Sequence, residues 1–203
     1  MSARSPAAMS HFDPSTAKGL WLRWLPTFLG FPTGGLIAIA VLGPVTNLTT
    51  ALAGGAVAGA VLGAAQWLAL RSRLSKSEWW IPATAIGQAV GLAAGATLVG
   101  YRAGLQDLAI QGAISGLGVG LLQALALRPH VATWFWWALA MPPLWTLGWI
   151  VTTAAGIAVD QSFTNFGASG AIVVTALSGL LLVQLLHAPH PITDAALPAT
   201  GSA

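Results

Sequence analysis

Six long apolar runs alternate with short polar breaks along this 203-residue chain, at about Trp21 to Gly43, Thr50 to Leu70, Trp79 to Gly100, Leu108 to Leu127, Trp134 to Val159 and Gly167 to Leu186. A helix rising about 1.5 Å per residue crosses a hydrocarbon core of roughly 30 Å in about 20 residues, so each run is long enough to span a bilayer. The breaks, such as Gly43-Pro44-Val45-Thr46-Asn47 and Asp160-Gln161-Ser162, are built from turn-forming residues. The pattern predicts an all-α membrane protein, a six-transmembrane-helix bundle over 20–187, with a polar N-terminal tail over 1–19 and a flexible C-terminal tail over 188–203.

Composition strengthens that expectation. Hydrophobic residues make up 56% of the chain and charged residues 6%, against about a quarter charged in an ordinary soluble domain. The absence of cysteine excludes disulfides, thiolate metal sites and a cysteine nucleophile. The net charge of +3 does not point to nucleic acid, because the basic residues lie in short loops instead of one patch. Arg4, Lys18, Arg23, Arg71, Arg73, Lys76 and Arg128 fall on one side of the expected membrane and Arg102 alone on the other. Such a bias predicts that both termini and the loops after spans two and four are cytoplasmic. Trp21, Trp24, Trp67, Trp79, Trp80, Trp134, Trp136 and Trp137 fall near the same face and read as an interfacial aromatic belt.

The chain also repeats itself at an offset of 57 positions, which carries Gly55, Gly59, Gly63, Gln66, Leu70 and Arg71 onto Gly112, Gly116, Gly120, Gln123, Leu127 and Arg128. It carries Trp79-Trp80 onto Trp136-Trp137 and, backwards, Gly87 and Gly91 onto Gly30 and Gly34. Each unit holds one odd and one even span, giving three tandem parallel two-helix repeats (about 20–73, 78–130 and 134–187) and a pseudo-threefold bundle. The third even span is diverged, and Gln184 is its nearest match to the glutamines. A cleaved signal peptide ending near Ala38-Ile39-Ala40 is disfavoured, since the apolar run continues past that point and span one has later counterparts.

Glycines four apart advance about 400° around a helix and stay on one face, so Gly55, Gly59, Gly63, Gly112, Gly116 and Gly120 are the expected helix-packing residues. Gln66, eleven positions after Gly55, returns to within about 20° of it and belongs to the same face. Gln66, Gln123 and Gln184 are therefore candidates either for interhelical hydrogen bonding or for a polar ligand site. Span five carries Pro142-Pro143 at its centre, expected to kink it, with Trp145 and Trp149 following on one face. A bound lipid, quinone or carotenoid would fit against those indoles, although no cofactor is required.

No Asp, Glu, Lys, Arg or His lies in the central part of a span, which disfavours proton-coupled transport. Gly167-Ala168-Ser169-Gly170 matches the serine motif of rhomboid-type proteases, but no later span follows to carry the histidine they need. On the sparsely charged face, Arg102, Asp107 and Asp160 are positioned to pair.

The string Gly59-Ala60-Val61-Leu62-Gly63-Ala64-Ala65-Gln66-Trp67-Leu68-Ala69-Leu70-Arg71, followed by Trp79-Trp80, resembles a group of uncharacterised bacterial multi-pass proteins with G-x-x-x-G-x-x-Q-W-x-x-L-R repeats. The resemblance covers most of residues 20–186, departs at Ala124 and in the third copy, and implies a bacterial membrane location without a chemistry. The expected function is that of a non-enzymatic structural, assembly or accessory subunit, with the lipid bilayer and other membrane subunits as partners. The alternative is a passive carrier or channel for a small neutral or lipophilic molecule.

Overall fold

The computed structural model describes residues 14–157 and 165–187. The expectations for Arg4, for Asp160 and its turn, and for the tail over 188–203 lie outside the described residues. Among those described the protein is entirely helical. The first span is a composite of α1 (Pro14–Trp24), a 3₁₀ segment (Leu25–Leu29) and α2 (Gly30–Leu42). It is followed by α3 (Leu48–Leu70), α4 (Trp80–Leu98), α5 (Leu105–Leu127), α6 (Phe135–Ala154) and α7 (Ala168–His187).

Among the described residues, five helices are long and apolar enough to cross a membrane: Thr16–Leu42, Leu48–Leu70, Ser77–Leu98, Leu105–Leu127 and Ala168–His187. The fifth expected span, α6, ends at Ala154, short of Val159. It is less apolar than the others because Trp136, Trp137, Trp145, Trp149, Pro142, Pro143 and three threonines occupy it. Both prolines lie inside an unbroken helical assignment, so no interruption separates its halves.

Helix starts and stops follow local chemistry. Asn47 caps α3 reciprocally: its side chain accepts from the Thr50 backbone N–H at 3.0 Å, while Thr50 Oγ1 accepts from the Asn47 N–H at 3.2 Å. Asn47 and Thr50 thus form a capping box. Gly43, with φ of 78°, ends α2 in a backbone conformation that glycine adopts without strain.

Consecutive helices pack antiparallel around a closed ring, and α7 completes it mainly against α1 and the 3₁₀ segment. Small residues make the approaches. A methyl built on Gly55 meets Gln88 O at 2.7 Å, on Gly59 Thr84 O at 2.7 Å and on Gly63 Ile81 Cα at 3.0 Å, so α3 runs antiparallel to α4 in backbone contact. Gly112, Gly116 and Gly120 meet Trp145, Met141 and Ala138 of α6 in the same way. Gly30 and Gly34 face α3, Gly87, Gly91 and Gly95 face α5, Gly148 faces α7, and Gly179 faces Trp21 and Trp24 of α1. Every helix thus presents glycines to its successor, the last one closing onto the first.

Many large apolar side chains point the other way. Leu36, Val41, Leu98 and Leu139 are among the exposed residues, whereas the interior combines glycine, alanine, aromatic rings and leucines such as Leu62, Leu92 and Leu108 with a few polar groups. This arrangement suits a hydrocarbon solvent, where close backbone packing and internal hydrogen bonds, more than apolar burial, drive association.

Candidate functional site

The chemistry of the interior is concentrated where three indoles meet. Trp24, Trp80 and Trp137 are each fully buried, with ring centroids 5.8 to 6.2 Å apart and edge-to-face geometry. They were expected in the interfacial belt, and the structure moves them to the core. Adjacent residues on a helix differ by about 100°, so in Trp79-Trp80 and Trp136-Trp137 one ring faces out and one in. Trp79 is 63% exposed and Trp136 52%.

Each buried indole donates its N–H to a polar side chain on an even-numbered expected span. Trp80 Nε1 donates to Gln66 Oε1 at 2.8 Å and Trp137 Nε1 to Gln123 Oε1 at 3.0 Å, both across 14 residues. That spacing is the span-to-span turn, which brings the end of one helix opposite the start of the next. Trp24 Nε1 donates to Ser178 Oγ at 3.1 Å, joining the first helix to the last. Gln123 Nε2 donates to Gln66 Oε1 at 2.9 Å and Thr84 Oγ1 at 2.8 Å, and Thr84 passes its own hydrogen to the Trp80 carbonyl at 2.8 Å. The Gln66 carbonyl oxygen thus accepts two hydrogen bonds, and Gln123 is engaged through both its oxygen and its nitrogen, as burial in a low-dielectric interior favours.

Gln184 does not join them. It is exposed on α7, and Ser178 occupies the equivalent place. Ser178 lies 55 positions after Gln123, and the same shift carries the buried Val119, Gly120, Ala124 and Leu127 onto the buried Val174, Thr175, Gly179 and Leu182. Sequence comparison at 57 positions missed this because the connection before α7, from Ala154 to Ala168, differs in length from the one before α5, from Leu98 to Leu105. A similar slip hides Trp24, since 57 positions before Trp80 stands Arg23. The 3₁₀ segment accounts for the slip: residues three apart share a face there, so Trp24 and Thr27 stand as Trp80 and Thr84 do in an α-helix.

A second layer lies deeper along α4, α6 and the first span. Phe31 stacks on Phe166 at 4.6 Å between centroids, and Trp145 and Trp149 abut the Phe166 edge at 5.2 and 5.8 Å. Trp145 and Trp149 are thus brought together, but around a protein side chain. Asn165 accepts from Gln88 Nε2 at 3.0 Å and donates to the Phe31 carbonyl at 3.3 Å. Further out, Gln111 donates to Ser115 Oγ at 2.7 Å. Gln88, Gln111 and Asn165 escaped the sequence reading. The usable signal for the two glutamines is that each adjoins a glycine of the packing stripe, Gln88 following Gly87 and Gln111 preceding Gly112.

The candidate polar residues are spread over the bundle and not gathered around a hollow. Three surface grooves among the described residues are lined by other side chains. No group of three or more metal-ligating side chains occurs among the described residues. At the far end Arg102, in the loop before α5, pairs with Asp107 in the first turn of that helix at 2.8 Å. That carboxylate raises the Arg102 guanidinium pKa, first through the hydrogen bond and then through charge. Being exposed, the pair adds little to stability.

Comparison with protein families, with curated proteins and with solved structures finds no match. Helix length and an apolar exterior together make the chain a multi-pass integral membrane protein, all-helical among the described residues.

Proposed function

We propose that the protein is a non-enzymatic six-span component of a bacterial inner membrane, acting as a structural, assembly or accessory subunit of a larger membrane complex. The observation that carries this reading is the closed hydrogen-bond circuit of Gln66, Gln123, Thr84, Trp80 and Trp137, which spends the central polar groups on one another. What such a bundle offers to its surroundings is its outer surface. Broad apolar faces, including Leu36, Val41, Leu98 and Leu139, are available to lipid or to neighbouring helices.

Three parallel two-helix units remain the best account of the chain. Supporting them are the shared spacing of the Gln66–Trp80 and Gln123–Trp137 bonds and the Ser178–Trp24 bond in the corresponding place. The orientation with both termini cytoplasmic rests on the lysine and arginine bias. The carrier reading is weaker, because Gln66 and Gln123 are tied to each other and Gln184 faces outward.

Mild-detergent purification of the tagged protein from its native membranes tests the proposal. A second polypeptide should co-purify at a fixed ratio and migrate with it through gel filtration. Recovery as a clean monomer or homo-oligomer would argue against a subunit role.

A further inference from the structure

A groove of 660 Å³ opens between the first span and the end of α3, and its lining joins an apolar wall to two cations. Leu22, Pro26 and Leu68 supply the apolar part, and Arg23 and Arg71 the charge. Arg71 caps the end of α3 with its guanidinium 5.8 Å from the centre of the Trp67 ring, and Arg23 Nη1 donates to Ser72 Oγ at 3.2 Å. Both cations therefore sit at one end of the groove, at the level where expected spans leave the membrane. Neither has an ion-pair partner among the described residues, where the one salt bridge joins Arg102 to Asp107. Glu78, the one described carboxylate at this end, is not part of the lining.

Two further observations point to an occupant. Thr27 lines the groove at 4% exposure, and its hydroxyl has no hydrogen-bond partner, although its counterpart Thr84 has two. A buried hydroxyl left unpaired is costly, and an acceptor oxygen in the groove would relieve it. The shape also recurs. A second groove of 320 Å³ is lined by Trp79, Ala83, Leu122, Leu125 and Ala126, which stand 57 positions after Leu22, Pro26, Ala65, Leu68 and Ala69. It abuts a hollow that shares Trp79, Leu125 and Ala126 and continues to Lys76, again with a cation beside the apolar wall.

We infer that the first groove binds one anionic phospholipid of the adjoining leaflet. Arg23 and Arg71 hold its phosphate, the Thr27 hydroxyl meets an ester oxygen, and an acyl chain lies along Leu22, Pro26 and Leu68. Guanidinium forks suit phosphate oxygens, and basic pockets between transmembrane helices select anionic headgroups. A free phosphate would leave the apolar wall unused, which is why a lipid is the occupant. The inference rests on the reading of the chain as membrane-spanning.

Native mass spectrometry of the full-length protein in detergent, titrated with dioleoylphosphatidylglycerol or dioleoylphosphatidylcholine, provides the test. The anionic lipid should bind about tenfold more tightly, as two interfacial arginines imply. R23Q/R71Q should abolish that preference, while R73Q, in the same loop but outside the groove, should keep it. Equal binding of the two lipids, or an unchanged preference in R23Q/R71Q, overturns the inference. So does competition by millimolar inorganic phosphate, which would make this a soluble-anion site. Alkaline carbonate extraction of the source membranes separates the two levels of the argument. Release of the protein would defeat the bilayer reading, whereas retention without lipid preference would defeat only the lipid site.

Discussion

Gln66 and Gln123 show how a single residue type takes its role from depth and partner. Each amide accepts an indole hydrogen, and the pair share one bond of 2.9 Å. Replacing either by leucine orphans an indole N–H, with an expected cost of about 1–3 kcal/mol. Because the shared bond is lost in both single variants, Q66L and Q123L should be less than additive, by about 1 kcal/mol. Q184L, on the exposed face, should change stability by less than about 0.5 kcal/mol and add independently. Reversible unfolding in mixed micelles measures all four variants. Strict additivity of Q66L with Q123L would mean that their bond contributes nothing. The positions of these two glutamines on a packing face were legible from their spacing to Gly55 and Gly112. Their indole partners were not, because Trp79-Trp80 and Trp136-Trp137 look alike until the helix rotation is fixed by what packs against it.

Glycine stripes dominate the next scale. Four-residue spacing announces a face but not its neighbour, and the structure gives every stripe the same direction, toward the following helix. At Gly59 and Gly116 an added methyl would lie 2.7 and 2.6 Å from carbonyl oxygens of the next helix. G59A and G116A should each destabilise the bundle by about 1–3 kcal/mol, since backbone cannot yield as a side chain does. Gly19 has nothing within 4 Å of the same position, so G19A should be neutral or gain up to about 1 kcal/mol from helix propensity. Thermal unfolding of the three variants in one detergent compares them directly. A destabilised G19A beside an unaffected G59A would refute the packing assignment. Local register explains what spacing alone missed here: the 3₁₀ segment Leu25–Leu29 and a connection of different length before α7 displace Trp24 and Ser178 from the common offset. Pro142-Pro143 invited an expectation of a kinked, ligand-lining helix, yet α6 continues through both, and its indoles are engaged by Phe166.

The ring as a whole has two unlike ends. Ser75 and His130 lie at one of them, bonded to each other at 2.9 Å across successive turns. Leu48 and Leu105 begin α3 and α5 at the opposite end. Single cysteines at 48 and 105 should react with an impermeant thiol reagent in intact cells, and those at 75 and 130 only after lysis. The cysteine-free background makes each reading unambiguous. Labelling at 75 in intact cells would reverse the orientation inferred from Arg71, Arg73, Lys76 and Arg128.

Length, apolar content and the scarcity of charge determined by themselves that this chain is a set of membrane helices, because a backbone in hydrocarbon has few ways to satisfy its hydrogen bonds. Spacing of glycine and glutamine also determined which faces pack. Tertiary structure alone decided which tryptophan of each pair turns inward, that Ser178 and not Gln184 completes the set, and that Asn165 and Phe166 fill the space beside Trp145. Those choices depend on contacts between residues as far apart as Trp24 and Ser178, 154 positions along the chain. Periodicity fixes the direction of a side chain relative to its own helix, and only packing fixes what it meets.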